Sequence, residues 1–180
     1  MCSSDLEPDP LLERLRAEGD KSPCDVFITT DAGRIERARQ MGLLQAVSSP
    51  ALAAAVPAHL RDPDGNWFGF SKRARVIFFS KEKVQAAGAP KNYEDLADTK
   101  WKGKIAIRSS AHIYNQSLVG SLLAANGPEK TEAWARAVAA NLARPPRGGD
   151  TDQIKAVASG EAELAVGNTD RKSTRLNSSH

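Results

Sequence analysis

The order of apolar and polar residues along the chain predicts several helices. The segment LLERLRAEG carries its leucines at helical spacing and ends on a glycine stop signal. A second helix is predicted to begin after Asp31, whose carboxylate suits an N-cap, and to end before Gly42. Further helices are predicted for NYEDLADTKWKG, Tyr114 to Ala125, PEKTEAWARAVAANL and TDQIKAVASGEA, with one short helical piece in LLQAVSSPALAAAVPAHLRDPDGNW.

Runs of β-branched and aromatic residues predict strands between these helices. They are DVFITT, a long strand in FGFSKRARVIFFSKEKV, KIAIRS and ELAVGN. In the long strand, alternating polar residues give way to the apolar run VIFF, as in a strand that passes from a cleft into a core. Strands that alternate with helices predict an α/β fold with a parallel sheet.

The two ends of the chain differ in character from the rest. MCSSDL and RKSTRLNSSH resemble translated sequencing-adapter read-through, and neither is expected to belong to the fold. The chain has 25 basic and 22 acidic residues, of which these two pieces hold three basic and one acidic. The remainder is nearly neutral, so composition does not support a basic nucleic-acid-binding surface.

The stretch RSSAHIYNQSLVG carries the most distinctive chemistry, because it places Tyr114 among small polar residues between a strand and a helix. Tyr93, the other tyrosine, is predicted to be structural. His112 beside Tyr114 is a weak metal signal and is predicted to lie at a cleft edge or in solvent. Ser109 and Ser110 could act as nucleophiles only with a base that the sequence does not identify.

Enzyme motifs are absent from the sequence. There is no GxSxG elbow, HExxH helix, phosphate-binding P-loop or GxGxxG turn. The chain is therefore expected not to be an enzyme, and a serine-type hydrolase remains the alternative from another class.

Several segments in order resemble the ferric-iron-binding periplasmic proteins of ABC transporters, a branch of the class II solute-binding proteins. The matching segments are LLERLRAEG, CDVFITTDAGRIERARQMGLLQ, NWFGFSKRARVIFFSKEKV, YEDLADTKWKGKIAIRSSAHIYNQSLVGSLLAANG and ARPPRGGDTDQIKAVASGEAELAVGNT. The resemblance implies two α/β lobes with parallel-type sheets, joined by hinge strands, that hold Fe(III) in the cleft between them.

The resemblance also implies roles for particular residues. The tyrosine of IYNQS, which is Tyr114, corresponds to an iron ligand. The arginine of the RAR pattern lies near the metal, and Arg73 fits best with Arg75 as the alternative. Asn168 corresponds to a residue beside the metal and its anion. Ser109 and Ser110 are expected to contact that anion or water, so the implied cargo is Fe(III), possibly with a synergistic anion such as carbonate.

The chemistry of Fe(III) agrees with these residue types. This hard cation prefers anionic oxygen ligands to imidazole or thiolate. A free phenol has a pKa near ~10, and coordination to a multivalent cation lowers that pKa until the phenolate forms. An arginine would not bind the metal but could hydrogen-bond the phenolate or the anion.

The sequence departs from the family pattern after GNT. Two consecutive tyrosines normally follow there, both of them ligands, whereas this chain continues with Asp170 and Arg171. An early tyrosine or histidine ligand is also missing before residue 7. One tyrosine among several expected ligands predicts weak or no iron binding by the chain as it stands.

The resemblance implies the following organisation. Residues 1–6 are a non-native piece, 7–71 part of lobe 1, 72–79 a hinge strand, 80–168 lobe 2, and 169–180 the start of a return hinge replaced by a non-native tail.

The expected partner is an inner-membrane ABC transporter permease, and the expected state is a monomer that binds no nucleic acid. The expected location is periplasmic or lipid-anchored outside the cytoplasmic membrane. A class II protein for another small ligand, an oxyanion, polyamine or sugar, is the alternative.

Other candidate residues have ordinary structural explanations. Asp150 and Asp152 are predicted to be helix-start residues, because carboxylates suit the first turn of a helix. The cluster Trp67, Phe68 and Phe70 is predicted to pack in a core or hinge.

Overall fold

The structure, a computed structural model, describes residues 8–169, and the chain divides into two compact units between Lys72 and Arg73. The predicted non-native piece, residues 1–6, lies outside the described residues. So does the tail from Asp170 onward, which includes Asp170 and Arg171 at the positions where the family pattern has two tyrosines. No helix between residues 8 and 169 combines the length and apolar character that a membrane span requires.

The first unit contains three helices, which were predicted from the sequence. They are α1 (Pro8–Glu18), α2 (Ala32–Gln40) and α3 (Pro50–Ala55). Leu11 and Leu12 of α1 are buried, as their spacing predicts. Asp31 is the N-cap of α2, since its Oδ1 accepts the Gly33 N–H at 2.8 Å.

The strand predicted for DVFITT is wrong for the described part of the chain, where residues 25–30 form no ladder with another segment. Val26 and Ile28, which share one face of this extended segment, are 51% and 66% exposed. The apolar alternation predicts a strand correctly only where a neighbouring strand supplies hydrogen bonds, and none of the described segments does so here.

The long strand predicted for FGFSKRARVIFFSKEKV is also shorter than expected. Only β1 (Arg75–Phe79) is a strand, because its partner offers five residues for pairing. Phe68 forms an isolated bridge with Arg61. Phe70 is 78% exposed, so the prediction that it packs in a core or hinge is wrong for this residue.

The second unit contains a three-stranded sheet of order β1-β3-β2, in which β2 is Ile105–Ala106 and β3 is Leu164–Asn168. β3 is fully buried in the centre and runs parallel to β2, as predicted. It runs antiparallel to β1, with Arg75 opposite Asn168, so the sheet is mixed rather than wholly parallel. The parallel pair needs a long crossover, which the helices between β2 and β3 supply.

Those helices are α4 (Ile113–Asn126), α5 (Pro128–Ala140) and α6 (Asp150–Ala158), close to the predicted bounds. The helix predicted for NYEDLADTKWKG is instead two 3₁₀ turns, Glu94–Ala97 and Thr99–Trp101. Asp98 separates them, because its backbone is extended and its Oδ1 accepts the Lys100 N–H at 2.9 Å.

The apolar core of the second unit lies on both faces of its sheet. The larger cluster consists of Val84, Leu96, Trp101, Ile105, Leu118, Leu122, Val138, Leu164 and Val166. Small side chains, among them Ala106, Ala156 and Ala165, let α6 approach the other face. The α/β class predicted from the sequence is therefore confirmed.

Candidate functional site

Most of the residues predicted to form the site meet at one end of the sheet in the second unit. Arg75 begins β1 and stands opposite Asn168, the last residue of β3. β2 runs parallel to β3, so the chain that follows β2 leaves at this same end and leads into α4. The fold therefore brings together residues that lie far apart in the sequence.

Tyr114 lies in the first turn of α4. Its N–H donates to Nδ1 of His112 at 3.1 Å, which makes His112 the N-cap, and the two rings meet edge to face with centroids 4.6 Å apart. His112 is half-buried in this role rather than simply solvent-exposed. The helix start therefore fixes both the backbone and the ring of Tyr114.

Three guanidinium groups surround the Tyr114 side chain. Arg73 Nη2 donates to the phenol oxygen at 3.0 Å. The Cζ atoms of Arg73, Arg75 and Arg108 lie 5.4, 5.7 and 5.1 Å from the ring centroid. Each is within the range of a cation–π contact.

Arg75 is largely buried and held by several acceptors. Its Nη1 donates to Asn168 Oδ1 at 3.1 Å and lies 3.3 Å from Asp150 Oδ2, and its Nη2 donates to Asn115 Oδ1 at 2.8 Å. Burial lowers the pKa of Arg75, and the charge of Asp150 partly offsets that effect. The planar fork of arginine suits this arrangement, because it directs donors to separate acceptors.

Asp150, the first residue of α6, forms ion pairs with both Arg75 and Arg108. Its Oδ1 accepts from Arg108 Nη1 at 3.2 Å, and its Oδ2 accepts the Asn168 N–H at 3.0 Å. The side chains of Asp150, Arg75 and Arg108 are only 4%, 10% and 13% exposed. One buried carboxylate thus pairs with two cations that are largely buried.

Asn115 and the serines shape the turn before α4. Asn115 Nδ2 donates to the carbonyl oxygens of Arg108 at 2.6 Å and Ser109 at 3.4 Å. Ser109 Oγ accepts the Ala111 N–H at 3.2 Å, and both Ser109 and Ser110 are exposed. The turn therefore presents two hydroxyl groups next to a helix N-terminus, where an oxyanion is favoured.

Tyr93 has the structural role predicted for it. It packs against the larger core cluster, and its hydroxyl donates to the Arg75 carbonyl oxygen. Burial raises the pKa of Tyr93, and Arg75 opposes that rise. Trp134 Nε1 donates to the Tyr93 carbonyl oxygen at 2.6 Å, which ties α5 to the same support.

The structure brings together Tyr114, Arg73, Arg75 and Asn168, with Ser109 and Ser110 at the adjoining turn. Their roles as metal ligand, charge partners and anion contacts stay predictions. Both arginines of the RAR pattern face Tyr114, Arg73 through the hydroxyl and Arg75 through the ring.

Sequence reasoning missed Arg108, Asn115 and Asp150. Arg108 and Asn115 lie in the same stretch as Tyr114, at the end of a predicted strand and the start of a predicted helix. Their positions could therefore have indicated that they belong to the site. Asp150 does begin a helix, as predicted, but its carboxylate contacts arginines and a strand end that lie far away in sequence. No local pattern shows those contacts.

Among residues 8–169, no three histidine, cysteine, aspartate or glutamate side chains converge as a metal site. The oxygen donor that the described site offers a cation is the Tyr114 phenol. A hard trivalent cation fits a phenolate, and the surrounding guanidinium groups can offset the charge of further anionic ligands. The donor chemistry therefore suits a hard, highly charged cation better than a softer divalent metal.

Comparison with known proteins agrees with the fold. Residues 21–169 match the family model described as bacterial extracellular solute-binding protein. Iron uptake protein A1 of Synechocystis sp. is 54% identical over 161 residues, which are 89% of this chain and 44% of that relative. The chain thus spans about half the length of the curated relatives it matches.

Two solved structures are similar across most of the chain. A Trichodesmium protein (IdiA, FutA), solved "in complex with iron and citrate ligands", has a TM-score of 0.85 and 53% identity, covering 91% of this chain and 52% of that one. The ferric binding protein from Campylobacter jejuni has a TM-score of 0.86 and 44% identity, with the same coverage. These likenesses confirm the predicted class II periplasmic-binding-protein fold, and the family match shows that the chain belongs to the bacterial extracellular solute-binding proteins.

Proposed function

We propose that this protein is the substrate-binding component of an Fe(III) ABC importer, which captures ferric iron through tyrosine phenolates and delivers it to a membrane permease. The observation that carries the proposal is Tyr114, held at a helix start with Arg73 on its hydroxyl oxygen and three guanidinium groups around its ring. The names of the similar proteins, which refer to iron uptake and ferric binding, support the same cargo.

The residues would act in distinct ways. Arg73 donates to the phenol oxygen and so holds in place the atom that would coordinate Fe(III). The turn of Ser109 and Ser110 at the start of α4 offers donors to a co-bound oxyanion such as carbonate or citrate. Asn168 and Arg75, which are hydrogen-bonded to each other, add polar groups at the end of β3.

The family description, bacterial extracellular solute-binding protein, supports a location outside the cytoplasmic membrane. We propose a periplasmic location, free or lipid-anchored, with an ABC permease as partner. Cargo delivery would depend on a change between two conformations that differ in their ligand contacts. The segment 72–79, which includes β1, is the hinge strand in this proposal.

Titration with ferric citrate tests the function, because coordination of a phenolate to Fe(III) produces a visible charge-transfer band. We expect the chain to develop this band weakly and Tyr114→Phe to abolish it. Tyr93→Phe is the matched control, since it removes the only other phenol and should keep the band. An undiminished band in Tyr114→Phe, or no band in the unaltered chain, would overturn the proposal for this chain.

A double variant, Asp170→Tyr with Arg171→Tyr, tests the ligand set that the family pattern implies. It should bind ferric citrate at least ~10-fold more tightly than the unaltered chain, because each added phenolate is a hard anionic ligand. The gain should require Tyr114. If Tyr114→Phe leaves the gain intact, Tyr114 is not part of the site.

An oxyanion cargo without iron is the second candidate, and the three guanidinium groups beside one carboxylate favour it over a polyamine. Calorimetry with citrate alone separates the two. Citrate that binds as tightly as ferric citrate would favour the oxyanion, whereas clearly tighter binding of ferric citrate supports iron. Turnover of an ester by the purified chain, lost in Ser109→Ala, would support the hydrolase alternative.

A further inference from the structure

Asp150 occupies an unusual position for a helix-start carboxylate. Its side chain is 4% exposed and accepts from Arg75, Arg108 and the Asn168 N–H. Burying a carboxylate is costly unless it is paired and hydrogen-bonded, and these three donors provide that compensation. They come from the start of β1, from the chain after β2 and from the end of β3.

The start of α6 does not need Asp150 as a cap. Asp152, in the same first turn, already accepts the Gly149 N–H at 2.8 Å and is exposed. It provides both the capping bond and a negative charge near the helix N-terminus. The contacts of Asp150 therefore serve something other than initiation of the helix.

Simple charge counting makes Asp150 unfavourable for an anionic cargo. It offsets one of the three positive charges around Tyr114 and so weakens the attraction for a phenolate or an oxyanion. The advantage of Asp150 must therefore lie in the geometry that it imposes on the arginines. Arg75 and Arg108 both approach Asp150 Oδ1, at 3.4 and 3.2 Å. Without that oxygen, two largely buried cations would lie close together with no counter-charge between them.

Two amides complete the framework that fixes Arg75. Asn115 Oδ1 accepts from Arg75 Nη2, and Asn168 Oδ1 accepts from Arg75 Nη1. The Asn168 N–H in turn donates to Asp150. The guanidinium plane is thereby fixed, 5.7 Å from the Tyr114 ring at its Cζ atom. Hydrogen bonds from both Nη atoms hold the guanidinium group in one orientation, while the buried Nε atoms of Arg75 and Arg108 make no hydrogen bond to the described residues.

On the basis of the proposed function, we propose that Asp150 is a positioning residue for cargo binding: it holds Arg75 and Arg108 against the Tyr114 ring and links both to the end of β3. The guanidinium groups then meet a ferric oxyanion complex in a fixed orientation. A site whose charges are already oriented loses less freedom on binding.

Three variants test this inference in the full chain, with ferric citrate as the probe. Asp150→Asn removes the charge, Asp150→Glu keeps the charge but moves it by one methylene, and Asp152→Asn is the matched control on the same helix turn. We expect both Asp150 variants to bind at least ~10-fold more weakly, as changes to outer-shell partners typically do, and Asp152→Asn to stay within ~3-fold.

The direction of the change separates positioning from charge. If Asp150 acted only through its charge, Asp150→Asn would bind an anionic complex as tightly or more tightly and Asp150→Glu would match the unaltered chain. Either result overturns the inference. Near-UV circular dichroism identifies a variant that fails to fold, and Asp150→Glu then decides, because it retains the ion pairs' charge.

Side-chain NMR of the arginines provides a readout that does not depend on iron. We expect separate, slowly exchanging Nη signals for Arg75 and Arg108, assigned with Arg75→Lys and Arg108→Lys, in the unaltered chain and in Asp152→Asn. These signals should average in both Asp150 variants. If the unaltered chain lacks the iron band but shows this pattern, the proposed function fails and the positioning role stands. Averaged signals in the unaltered chain would contradict the positioning role.

Discussion

At the scale of single residues, Glu36 in α2 shows how geometry can hold an exposed carboxylate. Its Oε1 accepts from Arg39 Nη2 at 2.7 Å and its Oε2 from Arg39 Nε at 2.9 Å, while Gln40 Nε2 donates to Oε1 at 3.1 Å. This fork lowers the pKa of Glu36 from 4.5 to about 2, with the hydrogen bond from Arg39 as the main cause.

The pKa shift predicts how the first unit responds to acid. Because the pKa is lowered in the folded state, Glu36 stabilises the fold fully above pH 4.5, and this contribution is lost as the pH falls towards about 2. Urea unfolding of the first unit across this range should show a smaller acid loss in Glu36→Gln. Arg39→Lys, which keeps the charge but not the fork, should give an intermediate loss. Identical pH profiles for Glu36→Gln and the unaltered chain would contradict this prediction.

Single residues also show how much of the site can be predicted from the sequence. Tyr114 and the RAR arginines could be predicted because short motifs carry them, and the structure places them together. Asp150 could be placed at a helix start but not beside Arg75, since the two are 75 residues apart and meet only when the sheet forms. Long-range ion pairs leave no local pattern in the sequence.

At the scale of elements, the entry to α6 depends on a tight turn. Gly148 has a φ of +69°, and a Cβ there would lie 2.6 Å from Asp152 Oδ2 and 2.8 Å from Asp152 Cβ. A side chain at this position would therefore meet backbone strain and would also displace the carboxylate that caps α6.

Gly148→Ala should lower the free energy of unfolding by about 2 to 3 kcal/mol, from left-handed strain and loss of the cap. Gly103→Ala is the matched control, because its φ is +71° but nothing lies within 4 Å of the added Cβ. It should cost about 1 to 2 kcal/mol from strain alone. Chemical denaturation measures both, and equal losses would show that displacement of Asp152 costs nothing.

Elements also differ in how well their sequence predicts them. The helices α1, α2, α4, α5 and α6 were predicted because their periodicity, caps and stop signals agree. The strand predicted for DVFITT is absent, because a strand depends on a neighbour that the segment itself cannot specify. The break at Asp98 was missed because a side-chain bond to the Lys100 N–H competes locally with the helix.

At the scale of the whole molecule, buried apolar residues are distributed unequally. Both core clusters in the described chain lie in the second unit, around β3. The first unit buries Leu11, Leu12, Ala38 and Val56, and it exposes Val26, Ile28 and Val47. Burial of apolar surface is the main source of stability, so the two units should differ in local stability.

Hydrogen exchange measures this difference. We expect the amides of β3 and of its ladder with β1 to be the slowest to exchange, and those of residues 25–30 to exchange within the earliest time points. The amide of Leu118 in α4 should be protected like the core, whereas that of Leu52 in α3 should not. Comparable protection of residues 25–30 and β3 would show that the first unit is as stable as the second.

The position of β3 has a consequence for how the chain is made. A ribosome releases both outer strands before the central strand that must join them, so the sheet cannot close until Leu164–Asn168 has been synthesised. Until then, the pairing that brings Arg75 opposite Asn168 cannot form. Late insertion of a central strand delays folding of the nascent chain. Such a delay would suit the periplasmic location proposed above, because a translocation channel threads polypeptides that have not yet folded.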